Sequence, residues 1–458
     1  MAAFNITAHI NNAPLSSFQI RVFLICALVI FLDGIDYQII GIVAPLVVKE
    51  FGVERSVLGG VFAAATLGAA IGSVLCGSIA DRIGRKLSLV GAVTLLGLAT
   101  AATALAYDIS TLMIIRFITG LGLGGAVPCC VALTSEYAPA RRRAAIVSLL
   151  WSAFPLGAMC GGFINAALIR QFEWRYLLYI WGFATLLVAV IVLLGLSESV
   201  RFLLNAKRPE SSKNQGAVLK IVRQIGQTDI AQNTPVVALE RTTTDASIGH
   251  LFDQGRIFGT VPLWAVMFII LGSLTVLASW SPALLVPLGF TPADAALIIG
   301  FNGLGSFLGA GIAGRAIERL GLLPSALPGF IGAALAALFY GWAGTASFTT
   351  LAAASVFAGF CLGYSSSIGL ALAALVYPVT IRSTGIGCAM GAGRIGAVFG
   401  PLAVGLMVAR GASMFQVFAA VSLALIVALP CIWALSRFGR NAANTQDEPH
   451  PVASAVWS

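Results

Sequence analysis

Long apolar runs separated by short polar breaks fill the chain between residues 22 and 436. A hydrocarbon core of ~30 Å takes about 20 apolar residues per helix. Runs of that order fall at 22–48, 57–80, 87–107, 111–135, 144–169, 175–196, 259–286, 293–315, 322–344, 348–376, 384–409 and 414–436. Backbone polar groups in lipid must be satisfied within the segment, so each run reads as a helix. The pattern therefore predicts an all-α integral membrane protein with twelve transmembrane helices. One long polar stretch, 197–258, is rich in Lys, Arg, Gln, Ser and Thr and divides six spans from six. Its apolar patch at 217–225 predicts a short surface helix, and nothing in it suggests a catalytic domain. The expected division is 1–196 for one six-helix half, 197–258 for the central loop, 259–440 for the second half and 441–458 for a disordered tail.

Composition agrees with this reading and charge orients it. Hydrophobic residues make up 59% of the 458 and charged residues only 10%, against roughly 25% charged in soluble domains. A net charge of +9 in a soluble chain would suggest a nucleic-acid partner. Here the basic residues lie between apolar runs, where they set orientation instead. With a cytoplasmic N-terminus, twenty of them fall on the cytoplasmic side and five on the other, leaving Arg116 and Arg394 inside spans. Both termini and the central loop are thus expected in the cytoplasm. The polar stretch 1–19 reads as a tail, too long and too interrupted for a cleaved leader. All eight cysteines fall in apolar runs without metal spacing and read as small packing residues. His9, His250 and His450 lie outside every run, so an intramembrane proton carrier has to be a carboxylate. No cofactor or metal is expected, only the proton as coupling ion.

The two halves echo each other. Gly77-Ser-Ile-Ala-Asp81-Arg82-Ile-Gly84-Arg85-Lys86 follows the second run, and Gly314-Arg-Ala-Ile-Glu318-Arg319-Leu-Gly321-Leu-Leu follows the eighth. Likewise 137–162 parallels 377–400, each with a basic loop opening a glycine-rich helix. The first loop resembles, at every defined position, the G-x-x-x-D-R-x-G-R-K signature of the major facilitator superfamily, whose parallel halves are related by an axis along the membrane normal. In the second copy Glu318 replaces Asp, and Leu322 and Leu323 replace the basic pair, which suggests a weaker latch. Asp33-Gly34-Ile35-Asp36 inside the first run resembles the D-G-x-D signature of the aromatic acid:proton symporter family. Arg116, Glu136 and the stretch Gly391-Ala-Gly-Arg394-Ile-Gly396 through Gly400-Pro401 carry the likeness over nearly the whole chain. Glu136-x-x-Pro139 with Arg142, and Glu198-Ser-Val-Arg201-Phe, are similar to sugar-porter motifs that are shared too widely to point to sugar. The resemblance implies import of benzoate-like, hydroxybenzoate-like or protocatechuate-like carboxylates, coupled to protons. It also implies a multi-pass protein of the bacterial inner membrane that works as a monomer among lipid.

Charges at mid-bilayer cost ~2.5–3.5 kcal/mol each even on the lenient insertion scale, and they are functional by default. At 1.5 Å per residue, Asp33 lies about 16 Å and Asp36 about 21 Å from the cytoplasmic start of the first span. Arg394 lies about 15 Å into the eleventh, and Arg116 about 7 Å below the opposite surface. Depth therefore matches Asp36 with Arg116, and Asp33 with Arg394. Asp33, Asp36 and Arg116 form the candidate proton-coupling group, because two close buried carboxylates tend to share one proton. With both ionised the four charges cancel. Protonating one leaves a single positive charge for a substrate carboxylate, and the fork of Arg394 suits it. Proton and anion then favour each other's binding. Tyr37, Gln38, Trp151, Phe154, Asn302 and Tyr364 are the expected remaining pocket residues. Asp81, Arg82, Gly84, Arg85, Lys86, Glu136, Arg142 and Glu198, at the cytoplasmic face, read as a salt-bridge latch that holds the outward-open state. Arg141 and Arg143 read as topogenic charge. An efflux antiporter is the nearest alternative, but Phe154-Pro155-Leu156-Gly157 with Gly161-Gly162 matches the antiporter motif of the fifth span only in part. A symporter of a non-aromatic anion and a sensor without transport are further alternatives. A membrane enzyme would need clustered His, Cys or Asp with ligand or nucleophile spacing, which the sequence lacks.

Overall fold

The computed structural model describes residues 4–205, 212–226, 236–237, 248–377 and 381–444. A strand β1 (Phe4–Asn5) and a short helix α1 (Ile6–Asn12) precede α2 (Ser17–Phe51), α3 (Leu58–Ile83), α4 (Arg85–Thr103), α5 (Ile109–Tyr137), α6 (Arg143–Leu168) and α7 (Trp174–Gly195). The central loop holds α8 (Val200–Asn205), α9 (Ser212–Gly226) and a strand β2 (Val236–Val237). The second half comprises α10 (Ile257–Leu285), α11 (Pro292–Leu320), α12 (Leu322–Ala343), α13 (Phe348–Val376), α14 (Arg382–Ala409) and α15 (Met414–Asn444). Twelve of the described helices are long and apolar enough to cross a membrane.

Local chemistry sets where the helices begin. Ser16 and Gln19 form a reciprocal capping box, which satisfies two orphan N–H groups and starts α2 ahead of its apolar run. Asp108 caps α5, Thr291 and Asp294 box the start of α11 behind Pro292, and Ser347 caps α13. The repeated loops also share a turn: Gly84 has φ +100° and Gly321 φ +83°, a region that residues with a Cβ rarely enter.

Helix pairing shows the same repeat. In the first half α2 packs on α6, α3 on α5, and α4 on both α5 and α7. In the second half α10 packs on α14, α11 on α13, and α12 on both α13 and α15. The halves meet through α2 with α10, α3 with α14, and α6 with α11. These meetings concentrate at the end remote from the central loop, hereafter the far end. There Gly162 abuts the backbone of Gly300, and Ile42, Ala166 and Ala296 form a buried cluster. Phe62 meets Trp280 edge-on at 5.5 Å, and Phe163 meets Phe301 at 5.3 Å. Toward the loop end, Val74, Leu75 and Ile79 of α3 and Ile312 of α11 are exposed. The molecule is closed at the far end.

One expectation needs correction. The stretch read as a polar tail contains α1, whose Ile6 and Ile10 are buried one turn apart. The surface helix of the central loop is α9, and its Val218, Leu219, Ile221, Val222 and Ile225 join the same core as α1 and Phe18 of α2. β1 pairs in parallel with β2, and Asn11 Oδ1 accepts the Ala140 N–H at 2.8 Å, so this layer rides on the first half. The expected tail lies, beyond Asn444, outside the described residues.

Candidate functional site

The site starts from a close helix crossing. Any Cβ at Gly34 would run into the Phe154 backbone oxygen of α6, and one at Gly157 into that of Phe31. Glycine between the aspartates thus brings α2 onto α6 and fixes the rotation of α2. That rotation sends Asp36 into the first half, where it is 3% exposed. Its Oδ1 accepts the Thr100 hydroxyl at 2.6 Å, and its Oδ2 lies 3.5 Å from an Arg116 terminal nitrogen. Arg116 is 1% exposed, and its Nε and second terminal nitrogen have no partner.

Asp33, one turn nearer the loop end, is equally buried. Its Oδ1 has no hydrogen-bond partner, and among the described residues it makes no ion pair within 4.0 Å. The cation within electrostatic range is Arg394 of α14, in the other half. Arg394 is half-buried. The depth match of Asp36 with Arg116 is thus an observed contact, while Asp33 and Arg394 form no ion pair within 4.0 Å.

The pocket candidates divide. Tyr37 donates to Thr275 Oγ1 of α10 at 2.7 Å, and its ring lies 5.4 Å from that of Phe154. Gln38 is buried, with Oε1 unpartnered. Trp151 is half-buried on α6. Two candidates turn toward helices of their own half. Asn302 reaches the Ser355 backbone oxygen of α13 at 3.4 Å. Tyr364 donates to the Ser325 backbone oxygen of α12 at 3.2 Å and lies over Gly329.

At the loop end, Glu198 accepts the N–H groups of Arg85 and Lys86 at 2.8 and 3.0 Å. A carboxylate at the start of α4 satisfies orphan donors and meets the positive end of the helix dipole. Gly84 makes room for it, since a Cβ there would strike the Glu198 carboxylate. Arg85 pairs with Glu136, whose other oxygen accepts the Ser199 hydroxyl at 2.6 Å. The structure therefore gathers Gly84, Arg85, Lys86, Glu136 and Glu198 within the first half and its adjoining loop. Asp81, Arg82 and Arg142 are exposed.

Sequence reasoning missed several partners. Thr100 and Thr275 carry no signal beyond a hydroxyl in an apolar run. Glu50 pairs with Arg175 and accepts Trp174 Nε1 at 2.7 Å, a brace foreshadowed only by charges at two span ends. The Cys76 thiol donates to the Ser88 backbone oxygen at 3.9 Å, and Cys26, Cys129 and Cys130 are buried as free thiols. Among the described residues no group of three or more His, Cys, Asp or Glu is placed to hold a metal ion.

Comparison with known proteins agrees with this architecture. The sequence model of the Major Facilitator Superfamily matches residues 26–344 and 263–458. The chain is 35% identical over 435 residues to the 4-hydroxybenzoate transporter PcaK of Pseudomonas aeruginosa, covering 93% of this chain and 95% of the relative. It is 30% identical over 438 residues to the gallate transporter of Pseudomonas putida, covering 94% and 95%. Among solved structures, the partially occluded inward-open xylose transporter XylE from E. coli superposes with a TM-score of 0.72 at 19% identity, covering 91% of this chain and 98% of that one. An inward-facing bacterial homologue of the lysosomal transporter Spinster gives 0.71 at 16%, covering 92% and 98%.

Proposed function

The chain belongs to the Major Facilitator Superfamily, and from that premise we propose that it imports a small aromatic carboxylate by proton symport with alternating access. It is a multi-pass membrane transporter rather than an enzyme, as its relatives are. The aromatic substrate is supported by what those relatives are named for, 4-hydroxybenzoate and gallate. The coupling is supported above all by one observation: Asp33 is buried without an ion-pair partner, while Asp36 is neutralised by Arg116.

A buried carboxylate with no compensating charge is cheapest to hold as the neutral acid. In this reading Asp33 takes a proton when the site faces outward, Arg394 then has no anion opposite it, and the substrate carboxylate fills that place. Phe154, Trp151 and Gln38 flank the ring. The twenty-to-five distribution of basic residues supports a cytoplasmic central loop, and closure at the far end then corresponds to an inward-facing state. In that state the loop-end cluster is held inside the first half. Asp81, Arg82 and Arg142 are free to engage the second half when the loop end closes. The two halves rock as bodies within a monomer in the bacterial inner membrane, with the proton as coupling ion.

Uptake of labelled benzoate, hydroxybenzoates and gallate into proteoliposomes, with and without a protonophore, tests this. Accumulation of at least one aromatic acid that collapses with the protonophore is expected. Accumulation indifferent to the protonophore contradicts it.

A further inference from the structure

The Tyr37 hydroxyl crosses the seam between the halves. It lies 2.7 Å from Thr275 Oγ1, and among the described residues of the spans no other side-chain hydrogen bond joins the two halves. The Thr275 hydroxyl has one proton and gives it to the Leu271 backbone oxygen at 2.9 Å, so Tyr37 must be the donor. Tyr37 is also one turn beyond Asp33 on the same face of α2. A helical side chain leans back over the turn before its own Cα, and that turn carries Asp33. The Asp33 Oδ1 atom lacks a partner in this state. A phenol has a single proton to donate, and two acceptors compete for it.

We propose that Tyr37 is the switch through which Asp33 governs the far-end seal, donating to the Asp33 carboxylate when the far end is open and to Thr275 when it is closed. The inference rests on the reading of Asp33 as the proton carrier. Hydrogen bonds to an ionised acceptor are roughly twice as strong as those to a neutral one, so the anion holds the phenol against Thr275. A proton arriving on Asp33 removes that advantage, the phenol passes to Thr275, and α2 is tied to α10. Release of the proton toward the loop end restores the anion, which draws the phenol back and loosens the seal. Tyr37 keeps its own proton throughout, and the transported proton travels on Asp33. The other titratable groups facing Asp33 are Asp36 on α2, Arg394 on α14 and Cys130 on α5. Asp36 is bonded to Thr100 and Arg116, and Cys130 is a free, buried thiol. Tyr37 carries a hydroxyl donor one turn beyond Asp33 on α2. In this role it is a positioning residue.

The test is proteoliposome uptake against external pH for the wild type, Tyr37→Phe, Thr275→Val, Thr275→Ser and Asp33→Asn. In Tyr37→Phe the ionised carboxylate of the far-open state has lost its donor, so the midpoint should move to higher pH by about one unit. Thr275→Val keeps that donor and removes only the seal. It should slow uptake without raising the midpoint, and Thr275→Ser should restore the rate. A midpoint that rises equally in Tyr37→Phe and Thr275→Val, or stays fixed in both, overturns the switch and leaves a passive seam contact. Concentrative uptake surviving in Asp33→Asn overturns the carrier reading and the switch together. Lost accumulation in Asp33→Asn beside an unmoved Tyr37→Phe overturns the switch alone.

Discussion

Asp33 and Asp36 stand three residues apart on one helix, equally buried, and meet opposite surroundings. Asp36 turns into the first half, where a hydroxyl and a guanidinium compensate its charge. Asp33 turns toward the seam, where one oxygen has no partner and the cation facing it, Arg394, belongs to the other half. A charge paired within a rigid body is compensated in every state of the transport cycle. A charge whose counter-ion sits across a moving seam is not, so its protonation depends on conformation and on substrate. Chemistry and depth are nearly the same for the two residues; the half that supplies the partner separates them.

The largest expected effect comes from breaking the compensated member. Asp36→Asn leaves Arg116 buried without a counter-charge and should destabilise the first half by about 3 kcal/mol, the lower range for a broken buried pair. A fall in melting temperature in detergent, with loss of exchange as well as accumulation, is the expected result. Next, Arg394→Lys keeps the charge facing Asp33 and loses the bidentate fork. Substrate affinity in binding titrations should fall 10- to 100-fold, about 1.5–3 kcal/mol, with unchanged melting. Gly34→Ala sharpens the comparison differently, by forcing α2 off α6 and so rotating both aspartates. A cost of about 1–2 kcal/mol in melting is expected, with both substrate affinity and exchange reduced. The smallest stability effect belongs to Asp81→Asn, a carboxylate exposed to water. Its melting should stay within about 0.5 kcal/mol of wild type, while uptake slows because the loop end closes less well.

Much of this was legible in the sequence because lipid imposes simple rules. Helix number, the division at the central loop and the repeated Gly84 and Gly321 turns follow from run length, polarity and spacing. The pairing of Asp36 with Arg116 followed from rise per residue alone. Other features depend on how helices are rotated against one another. Tyr364 reads in the sequence as a pocket aromatic, yet packing over Gly329 turns it onto α12. The brace of Glu50 with Arg175 and Trp174 joins two span ends far apart in the chain, so it has no linear signature. Helix α1 escaped notice because its two buried isoleucines are diluted by polar neighbours and find their apolar surface on a helix some two hundred residues away.

Counterflow and pH-driven accumulation in proteoliposomes bearing Asp33→Asn give the most direct test of the central claim. A neutral amide mimics the protonated acid, so substrate exchange should persist while concentrative uptake driven by an acid exterior disappears. The loss should be complete, since one proton per anion supplies about 1.4 kcal/mol per pH unit and the amide carries none. Concentrative, pH-driven uptake persisting in Asp33→Asn would contradict the account and return the proton to Asp36 or to a group outside this pair.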